Sequence, residues 1–178
     1  MKKQFFIMLA IVAIFGYQSV SAQGLILNDD YKKAFSSYEP EDLGFSEELP
    51  SKASLRKFAP TPRNQQGSTC VGWAGAYAAM SIQFNYTYNI IDKNEKDAFA
   101  FDPYFLFHQI KGENNFNCEN GTSMLDALIA MRDYGVKRQL LPAHLICEND
   151  MATALYNKSL EYAKSFRIKD ALIFDLEG

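Results

Sequence analysis

Cys70 stands at the end of a polar turn, Gln65-Gln66-Gly67-Ser68-Thr69. It heads a run of small and apolar residues from Val71-Gly72-Trp73-Ala74 to Met80. A turn followed by such a run puts the thiol in the first turn of a helix. Unpaired backbone N–H groups and the positive end of the helix dipole favour a thiolate there, which makes Cys70 a candidate nucleophile. The competing reading is a buried or disulfide-bonded cysteine, a common fate of this residue type.

The other chemistry-bearing residues are few. Cys118 and Cys147 complete a set of three cysteines, so a single bridge leaves one thiol. His108 reads as a surface or packing histidine, because no second metal ligand lies at helical spacing from it. His144 falls in a loop after Pro142. No metal-spaced cysteine pair, phosphate-cradling glycine loop or internal repeat is present, so neither a metal nor another cofactor is expected.

Positioning these residues requires the elements around them. Trp73, Tyr77, Met80 and Phe84 form one apolar stripe, which predicts a helix from Cys70 to about Tyr88. Gly72 and Gly75 each cost a helix roughly 1 kcal/mol relative to alanine, so they suggest close approach of another backbone. Upstream, Ala59-Pro60-Thr61-Pro62-Arg63 must be extended, since each proline biases its predecessor away from helix. Residues 89–98 read as a charged loop.

Asp102 and Pro103 then open a helix carrying Tyr104, Phe105, Phe107 and Ile110. Asn114 to Thr122 is a polar loop. Ser123 and Asp126 resemble a capping signature for a helix with Met124, Leu125, Leu128, Ile129 and Met131 on its buried face, ended by Gly135. Val136 to Leu141 reads as extended. A further helix is expected from about Met151 to Ser165, with Leu155, Tyr162 and Phe166 on its apolar side. Ile168 to Leu176 alternates as a strand does.

Lys2 and Lys3, the apolar run Phe5 to Tyr17 and the small-residue site Val20-Ser21-Ala22 read as a secretory signal peptide over 1–22. The apolar run is too short and wrongly flanked for a membrane span, so no membrane partner is expected after its removal. Losing 1–22 takes two lysines and no acid from 18 basic and 21 acidic residues, moving the net charge from −3 to −5. That balance argues against nucleic acid as a partner. Export implies a compartment where disulfides persist. Residues 23–48 are polar and acidic, and read as a leader or arm across the domain, either a solvated linker or a possible propeptide.

The segment Pro62-Arg63-Asn64-Gln65-Gln66-Gly67-Ser68-Thr69-Cys70-Val71-Gly72-Trp73-Ala74 resembles the active-site segment of papain-like (C1 family) cysteine peptidases, nearest to secreted bacterial members. Leu49-Pro50 with Leu55-Arg56 looks like the start of the mature enzyme in that family. Cys118-Glu119-Asn120-Gly121 is similar to its Cys-x-Gly-Gly loop, and the capped helix ending at Tyr134-Gly135-Val136 fits the helix that follows. The likeness covers roughly residues 49–176.

The resemblance implies an α+β, mainly helical fold, the papain-like left domain with its central helix starting at the nucleophile. It makes 49–178 the N-terminal part of a peptidase domain, with the β-barrel right domain largely missing. It implies proteolysis, with the Cys70 thiolate attacking the peptide bonds of a protein substrate. Gln65 would donate to the oxyanion, with Gln66 as alternate; the family places this glutamine six residues before the cysteine, where this chain has Asn64. Asn120 and Gly121 would hold an extended peptide through the backbone. Cys118 and Cys147 would form a disulfide, leaving the Cys70 thiol. The protein would be exported, periplasmic or extracellular in a bacterium.

The family's base histidine and orienting asparagine lie some 130–150 residues after the cysteine. His108 and His144 are only 38 and 74 residues on. The expectation is therefore an incomplete catalytic domain, inactive alone, that needs a C-terminal half. The alternatives are a non-catalytic secreted binding or adhesion module derived from such a peptidase, and a different Cys-His hydrolase such as an amidase or a transglutaminase-like fold.

Overall fold

The computed structural model of the chain describes Leu25, Ile26, Asp30, Phe35 and residues 51–115, 118–140 and 149–171, without the side chains of 149–152. The expected signal peptide, most of the leader, His144 and Cys147 lie outside the described residues.

The central element, α1, is one continuous helix. It begins with an α-helical turn at Cys70–Gly72, is wound as a π-helix over Trp73–Met80, and returns to α-helix over Ser81–Thr87. The apolar stripe anticipates the helix but not its widened middle. At the exit of that stretch the Ser81 N–H reaches back five residues to the Ala76 carbonyl. The Ser81 hydroxyl donates to the same carbonyl at 3.3 Å and accepts from the Phe101 N–H at 3.0 Å.

The expected loop over 89–98 is corrected: Lys93–Ala98 forms a helix, α2. Asp92 caps it by accepting from the Glu95 N–H at 2.9 Å. The charged sequence hid the helix because only Lys96 of its six residues is buried, leaving no apolar stripe to read.

Helix α3 spans Pro103–Ile110 and starts as expected. Asp102, fully buried, accepts from the N–H groups of Tyr104 and Phe105 at 2.9 and 3.2 Å, and lies 3.7 Å from the Lys137 ammonium. Helix α4 spans Met124–Asp133, with the Ser123 hydroxyl accepting from Leu125 N–H at 3.1 Å and Asp126 N–H at 3.4 Å. Gly135 follows it with φ +77°, a left-handed conformation that suits glycine. A side chain there would also meet the Ala163 carbonyl.

Helix α5 spans Asn149–Ala163. Tyr156, Leu160 and Ala163 turn its packed face to the core, while Tyr162, expected there, is half exposed. In α4 likewise, Ala127 and Ala130 are buried and Leu128 and Ile129 only partly so. Small residues let the helices close up where the pattern favoured large ones.

Strand structure is slight. Leu25–Ile26 (β1) pairs in parallel with Thr122–Ser123 (β2), and Phe101 bridges Arg138. β1 falls where little regular structure was expected. The stretch from Val136 is extended only as far as that bridge. Residues 168–171 form no strand, and 172–176 lie outside the described residues. The described residues are thus mainly helical with one small parallel sheet among them, which agrees with the coarse α+β expectation.

The larger of two apolar clusters among the described residues joins these elements. Val71, Ala76 and Met80 of α1 meet Phe105 and Leu106 of α3, Ala127, Ala130 and Met131 of α4, and Ala163 of α5. At the far end of α1, the rings of Phe84, Phe101 and Phe166 pack mutually edge-on at 5.6–6.1 Å, with the Arg138 guanidinium 4.3 Å above Phe84. Among the described residues, no helix is long and apolar enough to cross a membrane.

Candidate active site

The approach to Cys70 is anchored before it turns. The Phe58 carbonyl accepts from the Asn85 side-chain amide at 2.9 Å, and the Lys57 carbonyl from the Lys96 ammonium at 2.6 Å. Asp97 then accepts from both the backbone N–H and the hydroxyl of Thr61, each at 2.7 Å, while the Tyr77 hydroxyl donates to the Thr61 carbonyl. Desolvation by itself would raise the Asp97 pKa, but the two Thr61 bonds and the charges of Arg63 and Lys93 together outweigh it and hold the carboxyl below its usual value. Residues 57–61 are therefore tied to α1 and α2, and the proline segment enters the turn from a fixed point.

The turn is tied next to the 118–121 loop. The Ser68 N–H donates to the Cys118 carbonyl at 2.9 Å, and the Ser68 hydroxyl to the Glu119 carbonyl at 2.7 Å. Gly67 has φ +61°, and a Cβ on it would lie 2.8 Å from that Cys118 carbonyl, so both conformation and space select glycine. Asn115, buried, grips the other end of the loop: its amide donates to the Asn120 carbonyl at 2.7 Å and accepts from the Asn120 N–H at 3.2 Å. Two pieces picked out separately in the sequence, the glutamine turn and the Asn120-Gly121 loop, are thus one structural unit.

Cys70 is the first residue of α1 and is half-buried, packed against the edge of the core. Thr69, fully buried, precedes it, but its hydroxyl donates to the Gln66 carbonyl at 2.7 Å and no side chain caps the helix from the Thr69 position. Gly72 sets the depth of the thiol. A Cβ there would fall 2.2 Å from the Pro103 carbonyl oxygen, so α1 and α3 touch backbone to backbone, as the sequence suggested. At Gly75 the neighbours are instead the side chains of Leu106 and Met131, at 3.2 and 3.3 Å.

Gln65 and Gln66 are both exposed. The Gln65 amide donates to the Gly67 carbonyl at 3.3 Å, folded onto its own turn. Asn120 is exposed and Gly121 half-buried beside β2. Cys70 retains its thiol and is in no disulfide. Cys118, almost wholly buried, is disulfide-bonded, and its implied partner Cys147 lies outside the described residues. Cys118 also holds φ +56°, an unusual conformation for a side-chain-bearing residue.

His108 is not brought to the thiol. Pro103 and Phe107 of α3 face Gly72, whereas Phe105 and His108 meet Tyr156 of α5, with the imidazole 4.9 Å from the Tyr156 ring. At 3.6 residues per turn these two faces lie about 150° apart around α3. Burial, with a smaller effect from Lys111, lowers the His108 pKa from 6.5 to about 4, and its buried Nδ1 has no hydrogen-bond partner. It is a neutral packing residue, in line with the sequence reading. No group of His, Cys, Asp and Glu able to hold a metal occurs among the described residues.

Ser68 and Asn115, which bind the unit together, were not singled out in the sequence. Neither carries a periodic or spacing signal, since both act through contacts with backbone carbonyls and amides. No protein-family model matches the chain, and neither a curated protein nor a solved structure matches it.

Proposed function

We propose that this chain is the nucleophile-bearing part of a papain-like cysteine peptidase that is exported and acts on peptide bonds. Cys70 is the nucleophile, Gln65 the oxyanion donor with Gln66 as alternate, and Asn120 with Gly121 the rail for an extended substrate. The observation that carries this reading is the pair of Ser68 bonds, which ties the turn before a helix-leading thiol to the Asn120-Gly121 loop. A thiol at the first turn of a helix, beside the Asn120-Gly121 loop, suits attack on a carbonyl and stabilisation of the resulting oxyanion. His108 serves the α3–α5 contact and is not the base. A disulfide from Cys118 to Cys147 completes the loop.

The test is covalent capture with an extended peptide bearing a thiol-directed electrophile. Labelling of Cys70 whose rate saturates with peptide concentration, and which vanishes in Cys70→Ala, is expected. A rate that rises linearly, no faster than for an exposed thiol of a small peptide, would sink the reading.

A second reading is a secreted module that binds extended peptides without turnover. It is favoured by the packing of the one described imidazole, His108, against Tyr156. Saturable labelling with no turnover, even when the chain is supplied with a histidine-bearing C-terminal half, would select it.

A further inference from the structure

The loop carrying Asn120 and Gly121 runs directly into β2, and β2 already holds an extended segment of the same chain. Leu25 pairs with Thr122 and Ile26 with Ser123 in parallel register. The two sides of this pairing differ in kind. Thr122 and Ser123 are buried, and Ser123 caps α4. Upstream, the loop is gripped by Asn115 and Ser68. The receiving edge is therefore rigid before anything docks on it.

The docked side is not. Leu25 and Ile26 are 49% and 54% exposed, so their pairing is made through the backbone with little apolar burial behind it. Nine residues beyond Ile26 lies an aromatic anchor. Phe35 is 6% exposed, and the Arg132 guanidinium of α4 lies 5.3 Å from the centre of its ring. A rigid edge holding a short, backbone-paired strand is the arrangement by which proteins accept an added strand from a peptide.

We propose that the Thr122–Ser123 edge is a strand-acceptor site for an extended peptide, and that Leu25–Ile26 is its resident, exchangeable occupant, retained by the Phe35 anchor. The site reads main chain, because the two occupant side chains point largely into solvent and contribute little selectivity. Its ligand class is an extended peptide entering parallel to β2, with an aromatic residue near nine positions downstream adding affinity through Arg132. This inference does not depend on chemistry at Cys70 and holds equally for a binding module.

Hydrogen exchange on the full chain tests it, with a synthetic peptide of residues 23–36 as the probe. Phe35→Ala should speed exchange in 24–28 and 120–126 by about tenfold, as local opening does, while 101–110 keeps its protection. Ile26→Pro, which removes a backbone donor, should do the same. Added peptide should restore protection of 120–126 in Phe35→Ala saturably, and the same peptide carrying alanine for its phenylalanine should do so more weakly. Unchanged protection of 120–126 in both variants would overturn the proposal. Failure of the peptide to restore protection, or loss of protection at 101–110 as well, would overturn it too, since the arm would then be a fixed part of the core.

Discussion

The Ser68 hydroxyl donates to the Glu119 carbonyl at 2.7 Å, across 51 positions of sequence. With the parallel bond from the Ser68 N–H to the Cys118 carbonyl, it makes the turn before Cys70 and the loop after α3 move as one. Ser68→Ala keeps the backbone bond and loses the hydroxyl. Because the contact is exposed, water can replace it, and the expected cost is about 1 kcal/mol. A urea titration checks this; an unchanged midpoint would mean that the bond contributes nothing.

Gly72→Ala should be far more damaging. The added Cβ meets a carbonyl oxygen at 2.2 Å and the carbonyl carbon at 3.1 Å, neither of which can swing away. Overpacking of this kind costs about 1–3 kcal/mol, and the cost here should lie at the upper end. Gly112→Ala, with nothing within 4 Å of the new methyl, is the control and should melt like the parent. Equal melting temperatures for the two variants would contradict the backbone contact between α1 and α3.

His108 gives the fold an acid-side weakness. Its pKa is lowered by burial from 6.5 to about 4 in the folded protein. Between those values the unfolded chain binds a proton that the folded one does not, so stability rises with pH through that window and falls on acidification. The melting temperature should therefore drop from pH 7 to pH 4.5. His108→Phe, which keeps a ring against Tyr156, should flatten part of that slope. An identical slope in the variant would show that other groups carry it.

The thiols should be countable. Under native, non-reducing conditions iodoacetamide should add to Cys70 alone, and after reduction and unfolding to all three cysteines. A non-reduced tryptic map should join the Cys118 and Cys147 peptides; closing that loop stabilises by roughly 3–4 kcal/mol if unstrained. Two alkylated cysteines in the native protein would contradict the pairing.

The helices around the site were legible where local chemistry announced them. Asp102-Pro103 and Ser123 cap their helices as read, and Gly135 ends α4 in the conformation that only glycine adopts without strain. The start of α1 at Cys70 was legible for the same reason. α2 was not, because a solvent-facing helix of six residues carries no hydrophobic period and shows only its Asp92 cap. The π-helical widening of α1 was invisible too: its apolar stripe satisfies an α-helical period equally well. Within the candidate site, Cys70 could be picked out by residue type and setting, and Asn120 and Gly121 only through the family resemblance. What joins them, Ser68 and Asn115 acting on distant carbonyls, depends on tertiary placement that no spacing encodes.

Helix α3 meets Gly72 with one face and Tyr156 with nearly the opposite one. It therefore works as a shim, one surface setting the depth of the thiol and the other seating α5. The carbonyl that Gly72 touches belongs to the main chain and not to any side chain, so that contact does not depend on the α3 side chains that seat α5. A library randomised over α5 should therefore retain the reactivity of Cys70 more often than one randomised at Gly72 and its neighbours.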